Sequence, residues 1–309
     1  MLWILLALIG AVANAAYFII IKKNINALEP RVLTAVGFSL GGLLLFLFSA
    51  TRGFPDLGPD FFLAALITTI LNVIGLSLIF MALSSSDLSL AVPMLSFTPV
   101  FLIGTSYLFL HELPSLFGIA GICTIVCGSY VLNISEQHNH FADPFRSMIR
   151  NRGSWYMLIV AFIFAISINF DKIVLINSDP IFGIALTVTL IGWSFLLISA
   201  YSVFLQRKAL LCHPPDNPAP VTGTTACPSR MPSYIVPVLL IGLFVAIEAA
   251  SINIAYTLQI VPYVIAIKRM SIIFMVLYGT IIFSENEIKK RLTGAALMVA
   301  GAVILLIFA

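Results

Sequence analysis

Ten runs of about 20 mostly apolar residues follow one another along the chain, each long enough to cross a bilayer as an α-helix. With 61% hydrophobic and only 9% charged residues, the chain has too little polar surface for a soluble globule of 309 residues. Membrane β-strands are excluded because these runs are continuously apolar over about twice the length of a barrel strand. The predicted spans are Leu2–Ile21, Val32–Ala50, Phe61–Leu83, Leu88–Leu110, Leu116–Ile134, Trp155–Ile176, Ile181–Leu205, Tyr234–Thr257, Val261–Phe283 and Leu292–Ala309.

The chain also carries an internal duplication at a constant offset of 173 residues. The matching positions are Glu112 with Glu285, Gly121 with Gly294, Gly128 with Gly301, Phe101 with Phe274, and Val126 with Val299. A polar connector at residues 135–153 separates a first repeat, residues 1–134, from a second, residues 154–309. Because each repeat has an odd number of spans, the second enters the membrane from the opposite side. We therefore predict an all-α membrane protein of ten helices in two inverted five-helix repeats, with a binding site where the repeats meet.

Three charged residues lie deep inside the predicted spans, away from their ends, where a charge near mid-membrane costs roughly 2.5–3.5 kcal/mol to insert. Lys268 and Arg269 lie about 10–12 Å along the ninth span, and Glu248 in the eighth span is the obvious counter-charge. In one interpretation an ion pair only braces two helices. In the other, a cation lines a cavity and binds an anionic or carbonyl-bearing solute. Both stay open from the sequence, and we predict that Lys268, Arg269 and Glu248 bind the substrate.

Asparagines accompany these charges in spans one, three, six and eight. Interhelical hydrogen bonding explains any single one, but as a set they occupy helices that would surround a central cavity. We therefore add them to the predicted substrate-binding residues: Asn14, Asn72, Asn169 and Asn253. Asp171 and Lys172, near the end of span six, are interpreted as residues that mark the membrane interface.

Two prolines and two glutamates receive other roles. Pro93 and Pro99 interrupt span four and free backbone carbonyls, so we predict a gate or hinge there. Their counterparts in span nine are not proline, which predicts that the two halves are not functionally equivalent. Glu112 and Glu285 each stand between two apolar runs and are predicted to cap or brace the junctions of helices four and five and of helices nine and ten.

Motifs of other functional classes are absent from the sequence. There is no phosphate-binding loop for ATP, no zinc-protease motif, no serine-nucleophile motif and no pair of aspartates at helical spacing. A net charge of +3 without a basic, aromatic surface stretch argues against a nucleic-acid partner. We expect no enzymatic activity, no cofactor and no metal site.

Several of these segments resemble one known family. They are Ala91-Val92-Pro93-Met94, Thr98-Pro99-Val100-Phe101, His111-Glu112 with Gly121 and Gly128, Lys268-Arg269-Met270-Ser271, and Ser284-Glu285 with Gly294 and Gly301. Over the whole chain they are similar to the drug/metabolite transporter superfamily, specifically its EamA-type carriers. The resemblance implies a central cavity lined by helices one, three, four, six, eight and nine, with helices five and ten at the periphery. It also implies that Lys268 and Arg269 are similar to the basic pair that contacts phosphate in related sugar-phosphate carriers.

The resulting functional prediction is a secondary transporter that moves a small polar or anionic metabolite by alternating access. An intramembrane lipid-handling protein and a non-transporting membrane subunit remain as alternatives. The expected partners are a small-molecule substrate and the lipid bilayer of the inner or plasma membrane, and a homodimer is left open. Basic residues concentrate in the odd-numbered loops, which places those loops in the cytoplasm by the positive-inside rule. Cytoplasmic odd-numbered loops would put both termini outside, whereas the resemblance implies cytoplasmic termini. The two indications of orientation therefore disagree.

Overall fold

All regular secondary structure in the described part of the chain is helical. The computed structural model describes residues 1–24, 29–85, 92–133, 152–212, 232–275, 278 and 288–308. The helices there are α1 (Leu2–Asn24), α2 (Pro30–Ala50), α3 (Phe61–Ser85), a 3₁₀ helix (Val92–Phe97), α4 (Thr98–Leu110), α5 (Leu116–Asn133), α6 (Arg152–Ile176), α7 (Phe182–Cys212), α8 (Pro232–Leu258), α9 (Val261–Lys268) and α10 (Ile288–Phe308). Each predicted span thus overlaps one of these α-helices, and α6 begins at Arg152, inside the range assigned to the connector.

Six of these helices, α1, α2, α3, α6, α7 and α8, are long and apolar enough to cross a membrane. Shorter apolar helices cover Met94–Leu110, Leu116–Val131 and Leu292–Phe308. Many large apolar side chains lie on the outer surface, including Leu47 at 60% and Phe62 at 68% exposure. A surface of this kind fits contact with lipid, because exposed apolar patches of this extent are rare on soluble proteins.

The helices pack in pairs that draw one partner from each half of the chain. The most extensive contacts are α5 with α10, α2 with α7, α3 with α6, and α1 with α8. If each helix of one half is replaced by the corresponding helix of the other half, so that α1 becomes α6 and α6 becomes α1, the pair α3–α6 becomes α8–α1. The pairs α5–α10 and α2–α7 are each converted into themselves. We call this the exchange rule of the helix pairs. Helix pairs with smaller contacts follow the same rule, since α2–α8 corresponds to α7–α3 and α4–α6 corresponds to α9–α1.

One end of the bundle brings together the start of α1, the loops after α2, α4, α6 and α8, and the end of α10. The ring of Trp3 in α1 stacks on that of Tyr263 in α9 with centroids 6.4 Å apart. The Ser115 amide donates to the Tyr263 hydroxyl at 2.9 Å, and the Gly58 amide donates to the Asn177 carbonyl at 2.9 Å. We call this end, defined by those segments, the even-loop end.

Glycines set the close approach of α5 and α10. A Cβ on Gly301 would lie 2.7 Å from the Gly121 carbonyl oxygen and 2.8 Å from the Ile125 amide nitrogen. Both neighbouring atoms belong to the backbone, so neither can move away without shifting its helix. The matched glycines of the duplication therefore allow two helix backbones to touch.

Gly301→Ala is expected to destabilise the protein by about 1–3 kcal/mol, because the added methyl group overpacks a backbone contact. The matched control is Gly104→Ala in α4, where the same methyl group would meet nothing within 4 Å. This control should be neutral or slightly stabilising, because alanine has the higher helix propensity. Thermal unfolding of both variants in detergent tests the prediction, and equal midpoints would contradict it.

Candidate substrate-binding site

The ninth span is broken at the two residues that were predicted to bind substrate. Helix α9 ends at Lys268, a turn follows at Arg269 and Met270, and helical structure resumes at residues 271–275. The break tightens the backbone: the Met270 amide bonds to the Ile267 carbonyl at 2.9 Å, and the Ile272 amide bonds to the Arg269 carbonyl at 3.1 Å. The sequence predicted an uninterrupted span here, which is wrong, and such a 3₁₀ step in mid-helix often marks a functional hinge.

The broken ninth span has a counterpart in span four, where the 3₁₀ helix Val92–Phe97 precedes α4. Pro93 lies in this 3₁₀ helix and Pro99 in the first turn of α4, where a missing amide hydrogen removes no helical bond. Under the offset of 173 residues, the 3₁₀ helix corresponds to residues 265–270. The 3₁₀ geometry therefore recurs in the second half, where no proline is present. Proline is thus not required for this local geometry.

Lys268 and Glu248 form a salt bridge between α9 and α8 in which both side chains are largely buried, with 28% and 13% exposed. Asn14 of α1 donates from Nδ2 to Glu248 Oε1 at 3.3 Å and to the Tyr17 hydroxyl at 3.3 Å. Three of the predicted site residues thus meet at one point, where α1, α8 and α9 come together. Tyr17, which sequence reasoning missed, completes this group.

Arg269 points to a different partner. Its Nη2 donates to Thr98 Oγ1 at 2.6 Å, and Thr98 is the buried first residue of α4. Arg269 also lies close enough to Tyr17 for its charge to act on that hydroxyl. No salt bridge to Arg269 is found in the described part of the chain. A guanidinium group has five N–H donors, so one bond to a neutral hydroxyl leaves most of them available to another acceptor.

The other predicted asparagines do not join this group. Asn253 donates to the Ala249 carbonyl of its own helix at 3.0 Å. Asn169 donates to Thr105 Oγ1 at 3.0 Å and accepts from Ser106 Oγ at 2.8 Å, so it joins α6 to α4. For this residue, the interhelical hydrogen bonding considered from the sequence describes the contacts.

Asn72 belongs to a polar network between α3 and α6 that sequence reasoning did not assemble. Asn72 Nδ2 donates to Ser167 Oγ at 2.7 Å, Ser167 and Thr68 hydroxyls are 2.8 Å apart, and Thr68 donates to Asp171 Oδ1 at 2.6 Å. Thr68 and Ser167 are buried, and Asp171 is partly buried. A signal was present, because each helix carries two polar residues at i and i+4, which share a helix face.

Glu112 joins the two halves of the chain at the even-loop end. Its Oε1 forms a salt bridge with Lys172 of α6, with 13% and 12% of the side chains exposed, and its Oε2 accepts from the Val261 amide at 2.9 Å. It thus caps the N-terminus of α9, whereas the sequence predicted that it caps or braces the junction of helices four and five. We call Glu112, Lys172 and the Val261 amide the even-loop latch. Glu285, its counterpart in the duplication, lies outside the described residues.

The membrane-spanning charges can now be sorted by partner. Lys172 is paired with Glu112, and Lys268 with Glu248. Within the described residues, the spans then retain one cation, Arg269, and one carboxylate, Asp171, that form no salt bridge. The two do not pair with each other.

Comparison with known proteins agrees with this arrangement. Residues 1–134 match the model of the EamA-like transporter family. The first 134 residues are therefore similar to EamA-like transporters. A crystal structure of another protein, at 15% sequence identity, superposes with a TM-score of 0.72 over 99% of this chain and 97% of that one. Identity this low compares the fold alone. No curated protein sequence matches the chain.

The six helices long and apolar enough to cross a membrane, together with this match to a transporter family, indicate a multi-pass membrane protein. The family model covers the first five helices, which include Asn14, Thr98 and Glu112. Their partners Glu248, Arg269 and Lys172 all lie in the second half. An EamA-like first half thus supplies one side of each of these three contacts, whereas the Lys268–Glu248 salt bridge lies within the second half.

Proposed function

We propose that this protein is a secondary transporter of a small anionic metabolite, which it moves across the inner or plasma membrane by alternating access. The observation that carries the proposal is Arg269, a guanidinium at a helix break whose one hydrogen-bond partner among the described residues is a neutral hydroxyl. A partly buried charge without a counter-charge is costly inside a membrane span. An anionic solute that reaches Arg269 through water would offset that cost. The cost would remain if Arg269 were permanently shut off from water and solute.

The chemistry of the solute follows from the donors. Guanidinium groups bind carboxylates and phosphates through two parallel hydrogen bonds, and such charge-assisted bonds are roughly twice as strong as neutral ones. Lys268 adds a second cation on the neighbouring residue, although Glu248 balances its charge. Among Lys268, Arg269 and Glu248 one positive charge is left over, which favours a solute with a single carboxylate or phosphate group over a neutral one.

Alternating access further requires two parts that can move against each other. We propose that the five-helix halves are inverted repeats, and the exchange rule of the helix pairs supports this. The start of α1 contacts Tyr263 and the end of α6 contacts Glu112, both at the even-loop end, as expected for helices that run in opposite directions. The 3₁₀ steps in spans four and nine are the proposed hinges. The even-loop latch would close the site from its own end and open during the cycle.

Counterflow in proteoliposomes tests the function. Vesicles are preloaded with one unlabelled probe, and uptake of the same labelled probe is measured for inorganic phosphate, glycerol 3-phosphate, succinate and glutamate. Saturable exchange of at least one probe is expected, with neutral glycerol and glucose as controls. Absence of exchange for every anion, in protein that remains folded, would refute the proposal.

Arg269→Gln is expected to increase the half-saturating concentration of the exchanged anion by about 10- to 150-fold, because a hydrogen bond to a charged group is worth about 1.5–3 kcal/mol. The variant should fold, because the glutamine amide can still donate to Thr98. The matched control is Arg52→Gln, which alters a half-exposed arginine paired with Asp179 in a loop. Equal effects of the two substitutions on exchange would argue against an anion site at Arg269.

A further inference from the structure

The network that ends on Asp171 is a directed chain of hydrogen bonds. Asn72 donates to Ser167 at 2.7 Å, Ser167 can donate to Thr68 at 2.8 Å, and Thr68 donates to Asp171 at 2.6 Å. Asn72 cannot reverse its direction, since its amide nitrogen only donates. The chain therefore delivers one short hydrogen bond to an ionised carboxylate.

The same atoms also accommodate a protonated carboxyl group. If Asp171 donates to Thr68 Oγ1, the Thr68 hydroxyl can turn to the Ser167 carbonyl at 3.3 Å, and the Ser167 hydroxyl can turn to the Thr68 carbonyl at 3.4 Å. Every hydroxyl then still has an acceptor, at the expense of longer bonds. Both protonation states of Asp171 are thus satisfied by rotation of two hydroxyl groups, without movement of a helix.

We propose that Asp171 is the proton-binding site that couples transport of the anionic solute to a proton gradient. This inference rests on the proposed function. A proton passes from water to a carboxylate oxygen of Asp171 when the site is open to one side, and returns to water on the other side. Only the O–H bond forms and breaks. Thr68 and Ser167 are positioning residues, because they act through the carboxyl group.

The spacing of the oxygens favours a proton over a metal ion at Asp171. The Asp171, Thr68 and Ser167 oxygens are already 2.6–2.8 Å from one another along the chain. A cation with six octahedral oxygen ligands at about 2.3–2.6 Å holds neighbouring ligands roughly 3.3 Å apart or more. A metal ion would have to break this chain, whereas a proton fits within it.

The charges around Asp171 explain how proton and anion binding would be linked. Lys268 of α9 attracts the Asp171 carboxylate electrostatically. The Tyr256 hydroxyl of α8 in turn feels the negative charges of Asp171, Glu248 and Glu112. The other helices packed on α6 add no charge there: α3 and the 3₁₀ helix contain no titratable residue, α4 contains only Tyr107, which is half exposed, and α7 has no charged residue before Arg207. Lys172, the next residue on α6, is held by Glu112.

An anion bound beside Lys268 and Arg269 would weaken the attraction between Lys268 and Asp171. The ionised carboxylate then loses stabilisation, so anion binding favours proton binding. By thermodynamic reciprocity, protonation of Asp171 favours anion binding by the same factor. The loaded site then carries both species and the empty site neither, as symport of an anion with a proton requires.

Infrared difference spectroscopy tests the proton site without a substrate. In reconstituted wild-type protein titrated between about pH 4 and pH 9, a carbonyl band of a protonated carboxylic acid should disappear as the pH rises. Asp171→Asn should lack this band, while Glu29→Gln, which alters an exposed carboxylate, should keep it. A titrating band that persists unchanged in Asp171→Asn, or the absence of any titrating band in the wild type, would overturn the assignment.

Thr68→Val keeps the proposal testable if Asp171→Asn fails to fold. It removes the hydroxyl that stabilises the ionised carboxylate at similar volume, so the midpoint of the band should move to higher pH. Thr69→Val is the matched control, because Thr69 bonds only to the Ala65 carbonyl of its own helix. An unmoved midpoint in Thr68→Val, or equal shifts in the two variants, would contradict the role of the network.

Flux measurements separate failure of the coupling from failure of the transport function. With the exchanged probe among phosphate, glycerol 3-phosphate, succinate and glutamate, an inward proton gradient should accelerate wild-type uptake. Asp171→Asn should retain counterflow but lose this acceleration. If wild-type counterflow occurs and the gradient has no effect, the coupling proposal alone fails. If no probe is exchanged, the proposed function fails, while the infrared titration still decides whether Asp171 binds a proton.

Discussion

Lys172→Met is expected to destabilise the protein by about 3–5 kcal/mol, because it leaves the Glu112 carboxylate buried without its counter-charge. Glu112→Gln should cost a similar amount through the unpaired Lys172. Both side chains are nearly nine-tenths buried, so solvent does little to screen either charge. Unfolding followed by SDS titration in mixed micelles measures these differences.

The double variant Glu112→Gln with Lys172→Met separates the ion pair from the helix cap. It removes both charges, yet the glutamine amide oxygen can still accept from the Val261 amide. Stability should therefore recover to within about 1 kcal/mol of the wild type, since replacing both partners is often neutral. Glu112→Leu with Lys172→Met should recover less, by about 1 kcal/mol, because it also removes the cap.

Hydrogen exchange of the Val261 amide provides the site-specific readout for this series. Protection should be retained in the glutamine double variant and decrease in the leucine one. The latch would be refuted as a link between the halves if the single variants were as stable as the wild type. It would also be refuted if the two double variants had equal protection at Val261.

The apolar runs alone were enough to predict the helices, because the cost of leaving backbone groups unpaired in lipid allows few other structures. Glu248 could also be predicted as the partner of a cation in span nine, since few carboxylates lie at that depth. These predictions depend on composition and position along a span. Neither depends on which residues approach each other in space.

The contacts that define the site depend on distant parts of the chain, so the sequence could not supply them. Glu112 receives a hydrogen bond from an amide 149 positions away, and Arg269 bonds to Thr98 across 171 positions. The helix break at Arg269 contains no proline that would have predicted it from the sequence. Asp171 looked like an interface marker because its neighbour Lys172 is charged, whereas its partners are hydroxyls of α3 and α6.

Lys268→Met is expected to destabilise the protein by about 3 kcal/mol, because Glu248 would keep a buried charge with only the Asn14 amide as a partner. The loss should be smaller than for Lys172→Met, since Lys268 is more exposed, at 28% against 12%. Arg52→Gln, which alters a half-exposed surface pair, is the control and should cost less than about 1 kcal/mol.

Lys268→Met combined with Glu248→Gln removes both charges of the site and decides between bracing and binding. Stability should return to within about 1 kcal/mol of the wild type, because the glutamine can still accept from Asn14. If the pair only braces α8 and α9, anion counterflow should return as well. We expect a folded protein with strongly impaired exchange instead, because Arg269 alone would face the solute and the second cation would be missing. Wild-type exchange kinetics in this double variant would show that Lys268 does not meet the substrate.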